Sequence, residues 1–280
     1  MIYSYLFLLI IITFLLYMRY EAGRIKVEKV RFTLSAKGLK IVQLSDIHMR
    51  YLKISVNKLK NIICSEKPDI IIMTGDYIDN PMQINDFIKF INDIKCDIDV
   101  YLCMGNHDHK AFIDVSADIS HSTNTLNVNS IEDFISLLYK NNINVLHNKA
   151  VCIEKNNKKY NLIGIDDMNF GNYDIEKALS YCDKNADINI AFSHNPDIIY
   201  KIPKDKVDYL FCGHFHGGQI WLPFRLEYKL LRKEKLCKMG INRGLHKING
   251  INLYINRGLG NVCFPLRFLS RPEITVFCIN

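Results

Sequence analysis

Five apolar runs of strand length in this chain each lead into a short cluster of metal-capable side chains, and this pattern constrains the fold more than any other feature. "LKIVQLSD" leads into Asp46-Ile47-His48, "DIIIMTGD" ends in Gly75-Asp76, and "DIDVYLCMGN" leads into Gly105-Asn106-His107-Asp108. "DINIAFSH" ends in His194, and "VDYLFCGHFH" ends in Gly213-His214-Phe215-His216. An ordinary turn uses Gly and Asn because they tolerate left-handed backbone angles, but it has no need of His and Asp directly after them. Stretches of helical period separate the first three runs: "SVNKLKNIICSEK" (55–67), with Val56, Leu59, Ile62 and Ile63 on one face, and "INDFIKFINDI" (84–94). Strand–helix–strand–helix–strand with short links predicts parallel pairing and right-handed crossovers. Ligand sites in open α/β sheets form outside the carboxyl ends of the strands, so such a fold gathers the five clusters in one place.

Further along, residues 131–141 read as a helix and 150–166 as a hairpin turning at Asn156-Asn157. Strands are predicted at 187–193, 207–212, 250–256 and 273–279. So many strands favour two sheets in one domain. Residues 114–130 are polar and aperiodic and read as a surface loop, with a lid and plain disorder as the alternatives. With 280 residues, about half of them apolar, the chain can bury a sizeable core.

Residues 2–18 carry no charge, and as a helix they reach about 26 Å, marginally enough to cross a bilayer core. No basic segment precedes them and no small-residue cleavage pattern follows, which favours a retained anchor over a cleaved signal peptide. The run is apolar on every face, which argues against a buried core helix. Arg19, Arg24, Lys26, Lys29, Arg31, Lys37 and Lys40 follow it, against Glu21 and Glu28. The positive-inside rule then predicts a single-pass cell-membrane protein with a cytoplasmic globular part, the outer face being the alternative. Nine cysteines, an odd number with no C-x-x-C pair, read as scattered reduced thiols rather than a disulfide framework or a cysteine metal site. The chain divides on this reading into a transmembrane anchor (1–18), a basic connector (19–36) and one globular domain (37–280).

Carboxylates, an amide oxygen and imidazoles suit a hard or borderline divalent ion. The candidates outnumber the ligands of one tetrahedral ion and match two. Taken singly, each has a structural reading. Asp46 could be a turn or cap residue, Gly75-Asp76 a turn pair, Asn106 a left-handed turn residue, and His194 a residue that merely closes a strand. Their joint placement, each at a strand end, argues against a wholly structural account.

With "DIH" at 46–48, "GDYID" at 75–79, "GNHD" at 105–108, "SHNPD" at 193–197 and "GHFH" at 213–216, the chain resembles the calcineurin-like metallophosphoesterase superfamily over about residues 37–280. The tail "GHFHGGQI…NRGLG…RPEI" further resembles a bacterial membrane-associated branch that includes UDP-2,3-diacylglucosamine pyrophosphatase-like phosphoesterases. The resemblance implies an α/β fold, a two-sheet β-sandwich flanked by helices, here preceded by one transmembrane helix. It implies two divalent ions (manganese, iron or zinc), with Asp46, His48 and His216 on the first, Asp76 bridging, and Asn106, His194 and His214 on the second. His107 would stabilise the phosphoryl oxygens and protonate the leaving oxygen, with Asp108 orienting its ring. Asp79 is expected to be structural, and His109 a surface histidine.

The implied reaction is attack of a metal-bridging hydroxide on a phosphodiester, pyrophosphate or phosphomonoester, and the anchor favours a lipid-linked or membrane-associated substrate. A phosphoprotein or nucleotide phosphatase is the alternative within enzymes, and a catalytically silent metal-binding scaffold at the membrane is the alternative outside them. Between Gly218 and Arg257 lies a basic segment holding the only Trp, and Trp221, Phe224 and Arg225 are candidate substrate or membrane contacts, a solvated loop being the plainer reading. Arg257 and Arg271 suit either a phosphate or a carboxylate partner. No extended basic groove with stacking aromatics is visible, so no nucleic-acid partner is expected.

Overall fold

A run of alternating Ile, Leu and Val becomes a doubly covered strand when both of its faces find apolar partners. On β2 (Leu39–Leu44), Leu39 and Ile41 face one apolar cluster while Val42 and Leu44 face another, which explains why the run reads as nearly continuous hydrophobicity. β2 pairs in parallel with β3 (Ile70–Thr74), β3 with β4 (Asp99–Cys103), and β4 with the short β5 (Asn144–Val145). A computed structural model describes residues 1–33, 38–113, 128–222 and 232–280. On the other flank of β2, β12 (Glu273–Ile279) pairs antiparallel, and β1 (Lys26–Arg31) pairs in parallel with β12.

The second sheet uses β6 (Lys149–Lys155), β7 (Lys158–Gly164), β8 (Ile188–Phe192), β9 (Tyr209–Cys212), β10 (Gly244–Ile248) and β11 (Ile251–Ile255). Its order is β10-β11-β9-β8-β7-β6, with β11, β9, β8 and β7 parallel and the two edge strands antiparallel. The β6–β7 hairpin turns at Asn156-Asn157, both left-handed at φ 52° and 62°, as a two-residue hairpin requires. The sheets share one inner core, in which Phe211 of β9 stacks on Phe277 of β12 with centroids 4.1 Å apart. Helices α2 (Val56–Glu66), α3 (Ile84–Ile94) and α5 (Ile131–Lys140) cover the outside of the first sheet through Leu59, Ile63, Phe87, Ile91, Phe134 and Leu138. α6 (Ile175–Ser180) and the single turn Lys235–Lys238 cover the second.

The apolar N-terminal run forms one helix, α1 (Ile2–Glu21), long and apolar enough to cross a membrane. Its side chains are exposed except near its carboxyl end, where Met18 is buried and its carbonyl accepts from Arg267 N at 3.1 Å. Phe14 and Tyr17 meet the Phe268 ring edge-on at 5.1 and 6.3 Å.

Four expectations change. The segment read as a basic connector contains β1, a charged edge strand in which Val27 packs on the outer core of the first sheet and Val30 on the inner core. The segment after Gly218, expected to hold one strand at 250–256, contains β10 as well, paired with β11 as a hairpin. The third predicted strand stops at Cys103, and Asn106 already opens helix α4 (Asn106–Ile113). The cysteines are not all free: Cys64 near the end of α2 and Cys96 just past α3 are disulfide-bonded, with Cα atoms 6.1 Å apart, because the two helices pack side by side. A pair 32 residues apart leaves no motif to read. The other seven cysteines are free. Residues 114–127 of the predicted surface loop lie outside the described residues.

Candidate metal centre

β2, β3 and β4 of the first sheet and β8 and β9 of the second send their carboxyl-end loops to the same rim. Bonds between the loops tie the rim together. The Asp46 carboxylate accepts from His214 N at 3.1 and 3.2 Å, His194 Nδ1 lies 2.7 Å from Thr74 O, and Gly213 N donates to His194 O at 3.1 Å. Gly105 lies so close to the Asp76 turn that a Cβ there would meet Asp76 Oδ1 at 2.3 Å, so only glycine fits. Asp46, His48, Asp76, His214 and His216 all adopt left-handed angles, with φ between 42° and 72°.

Three overlapping groups of candidate ligands result. Atoms of Asp46, His48 and His216 lie within 4.8 Å of one another, and so do atoms of Asp76, His194 and His214 and atoms of His48, Asp76 and His107. His216 Nε2 is 3.2 Å from Asp46 Oδ1, and His194 Nε2 is 3.0 Å from both Asp76 Oδ2 and His214 Nδ1. His48 Nε2 lies 3.6 Å from Asp76 Oδ2, so Asp76 stands between the groups. The first two groups contain Asp46, His48, His216, Asp76, His194 and His214, residues that the family resemblance implies for two ions; Asn106, which it also implies, is in none of the groups. The chemistry fits a cation on two further counts. His48 Nε2 and Asn106 Oδ1 are buried without a hydrogen-bond partner, a cost of about 1–3 kcal/mol each unless something satisfies them. Burial opposes a charge on His194, yet Asp76 and Asp46 hold its pKa well above the ordinary range, so the cluster draws in positive charge. His216 goes the other way: burial, His48 and Arg267 hold it neutral, the form that ligates.

His107 stands on the first turn of α4 beside this cluster, its backbone N donating to Asp76 Oδ1 at 2.8 Å. Its ring is oriented by Asp79, not by the expected Asp108: His107 Nδ1 is 2.9 Å from Asp79 Oδ1, which also sits 3.1 Å from His48 Nδ1. Burial works against a protonated His107, but the Asp79 hydrogen bond and the charge of Asp76 raise its pKa. Asp108 turns inward instead and accepts from the backbone N–H groups of Gly105, Asp76, Tyr77 and Ile78 at 2.8–3.1 Å, fastening the second and third loops together. His109, expected at the surface, is buried with Nε2 2.7 Å from Asp166 Oδ1, because α4 turns that face toward the β7 end.

A cleft of about 480 Å³ opens over Asp76, Asn106, His107, His214 and His216, with Lys110, Phe170 and Arg232 in its walls. Lys110 and Arg232 were not assigned to the site from sequence, and their only signal there was charge. Arg257 pairs with Glu273 and with Glu28, and Arg271 donates to the carbonyls of Arg24 and Ile25, so both serve the fold. Trp221, a candidate substrate or membrane contact, packs against the outer core of the second sheet with Arg243 4.5 Å over its ring. Phe224 and Arg225 lie outside the described residues.

The family model described as "Calcineurin-like phosphoesterase" matches residues 39–218. An uncharacterized metallophosphoesterase of Bacillus subtilis, YkoQ, is 33% identical over 245 residues, covering 85% of this chain and 83% of that protein. The UDP-2,3-diacylglucosamine pyrophosphatase LpxG of Chlamydia trachomatis is 28% identical over 303 residues, covering 91% and 89%. The phosphodiesterase YaeI of Escherichia coli is 27% identical over 247 residues, covering 86% and 82%.

Proposed function

The chain belongs to the calcineurin-like phosphoesterase family and is a phosphoester hydrolase, and we propose that it works at a membrane, with two divalent ions, on a lipid-linked phosphodiester or pyrophosphate. The observation that carries the two-ion reading is the pair of ligand groups meeting at Asp76. Asp46, His48 and His216 would hold one ion, and Asn106, His194 and His214 the other, with Asp76 shared. Bound there, such ions neutralise phosphoryl charge and lower the pKa of water at neutral pH. The chain's own groups do the rest. Lys110 and Arg232 in the cleft wall attract and orient an anionic substrate. His107, with Nδ1 engaged by Asp79, presents Nε2 as the proton donor to the leaving oxygen. Asp108 holds the loop that carries Asp76.

The membrane part of the reading rests on α1, and the lipid part on α1 together with the pyrophosphatase among the relatives. The basic residues after α1 support a cytoplasmic catalytic domain. The decisive assay is hydrolysis of bis(p-nitrophenyl) phosphate with manganese, with and without chelator, followed by a panel of lipid-linked and soluble pyrophosphates. Metal-dependent turnover that favours the lipid-linked members is expected, with a loss of at least 10²-fold in Asp76→Asn. Equal turnover of soluble nucleotides would remove the lipid assignment. A folded, metal-loaded protein inert on the whole panel would favour the membrane scaffold.

A further inference from the structure

Glu234 follows the basic segment by sequence and lies 20 residues from His214, yet its Oε1 is 2.9 Å from His214 Nε2. It occupies the N-cap position of the turn Lys235–Lys238 but makes no capping bond with its side chain. Asp197 does that work instead, accepting from Lys235 N at 2.6 Å and Leu236 N at 3.0 Å. The Glu234 carboxylate therefore does not cap the turn: Oε2 accepts from Lys233 N at 2.9 Å, and Oε1 is turned onto the imidazole. Arg232 closes the arrangement, with Nη2 donating to His214 O at 3.1 Å and Nη1 3.4 Å from Glu234 Oε1. His214 is thus gripped at its backbone N by Asp46, at its carbonyl by Arg232 and at Nε2 by Glu234. Only Nδ1 remains, and it faces His194 Nε2 and Asp76.

We propose that Glu234 is a positioning residue for the second metal ligand group: by accepting the Nε2 proton of His214 it fixes the tautomer that offers a lone pair at Nδ1. This rests on the two-ion reading above. Carboxylate partners of ligating imidazoles fix ring orientation and raise basicity, and losing one weakens metal affinity by about 10–100-fold. The segment that returns from the basic region to the second sheet thereby becomes part of the metal centre.

The test is metal binding without substrate: titration of the metal-free full-length protein in detergent with manganese, read by calorimetry and by bound-metal stoichiometry, for wild type, Glu234→Ala and Glu234→Gln. Wild type is expected to bind two equivalents. Glu234→Ala is expected to bind one equivalent as wild type does and the other about 10–100-fold more weakly. Glu234→Gln keeps an acceptor for the Nε2 proton without the charge, and should melt like wild type when metal-free yet fall between the two in affinity. Two equivalents bound with wild-type affinity by Glu234→Ala would overturn the proposal. If Glu234→Ala fails to fold, wild-type affinity in Glu234→Gln overturns it. A wild type that binds one ion or none would instead defeat the two-ion reading, leaving the two failures distinct.

Discussion

Asp46, His48, Asp76, His214 and His216 sit on left-handed backbone that non-glycine residues rarely adopt, at about 1–3 kcal/mol each. Such conformations persist only where neighbours over-determine them, and here the loop-to-loop bonds do so, Asp108 with its four backbone donors above all. The candidate ligands could be named from the sequence because they follow directly on β2, β3, β4, β8 and β9. Their partners could not, because the Asp79–His107 contact spans 28 residues and depends on how two loops face each other. Asp79 holds the His107 pKa up, so Asp79→Asn should lower it. The variant is expected to lose about 10²-fold in kcat with KM nearly unchanged, its alkaline limb moving to lower pH. An unchanged kcat–pH profile would take this pair out of proton transfer. His109 and Asp166 make a second prediction away from the ligands. Burial opposes both charges, but the hydrogen bond between them raises the His109 pKa and lowers that of Asp166. The stability from the raised imidazole is full below its unfolded value near 6.5 and is lost as pH rises through the folded value. The part from the lowered carboxyl is present above its unfolded value near 3.9 and is lost as pH falls through the folded one. Thermal melts from pH 3 to 9 should therefore show His109→Asn flattening both limbs, and parallel curves would refute the linkage.

Elements with a clean period were readable in advance: α2 and α3 bury the apolar faces their spacing announces, and β2, β3 and β4 pair in parallel as the short crossovers require. Elements defined by partners were not. β1 reads as a mostly charged run with no period of two, and only pairing with β12, nearly the whole chain away, makes it a strand. α4 was hidden because Gly105-Asn106-His107-Asp108 reads as a strand end, whereas Asp108 Oδ2 reaches back to Gly105 N and starts a helix. The loop Arg257–Asn261 is another such element. Arg267, fully buried, donates to the carbonyls of Arg257, Gly258 and Gly260, and the loop in turn fastens Leu259 N and Gly260 N to the carbonyls of Ser45 and Asp46. Gly258 has φ 71°, and a Cβ there would meet Asp46 Cβ at 2.6 Å. Gly258→Ala thus adds a clash to a strained backbone, with an expected cost of about 1–3 kcal/mol. On the proposed two-ion reading it should also weaken the Asp46 group before the other one. Stoichiometry near one ion per chain with a modestly lowered melting temperature is the expected pair of readings, and full occupancy would show that the loop does not support Asp46.

At the scale of the molecule, α1 and the fold meet at Met18, Arg267 and Phe268, so an apolar helix leaves the domain directly beside the loop that backs Asp46. If α1 spans a membrane, two features bear on which side the domain occupies, and they act at different times. On that reading the basic residues after α1 orient the chain during insertion, before folding. The ion pairs that Lys26, Lys29 and Lys40 form with Glu28 and Glu66 in the finished fold therefore do not cancel their effect. The Cys64–Cys96 bond is favoured once α2 and α3 hold the two residues side by side, and it persists only where thiols are not kept reduced. If the basic flank decides, the domain is cytoplasmic and the pair is reduced in the cell, closing when the protein meets air. Alkylation of intact cells with a permeant maleimide before lysis is then expected to modify both Cys64 and Cys96. Protein purified in air without trapping should carry the bond, and an impermeant maleimide should leave even the exposed Cys263 unmodified in intact cells. A bond already closed in trapped cells, together with Cys263 labelled by the impermeant reagent, would put the catalytic domain on the outer face. On the proposed lipid-linked reading, the cleft would then have to draw its phosphoester from the opposite leaflet.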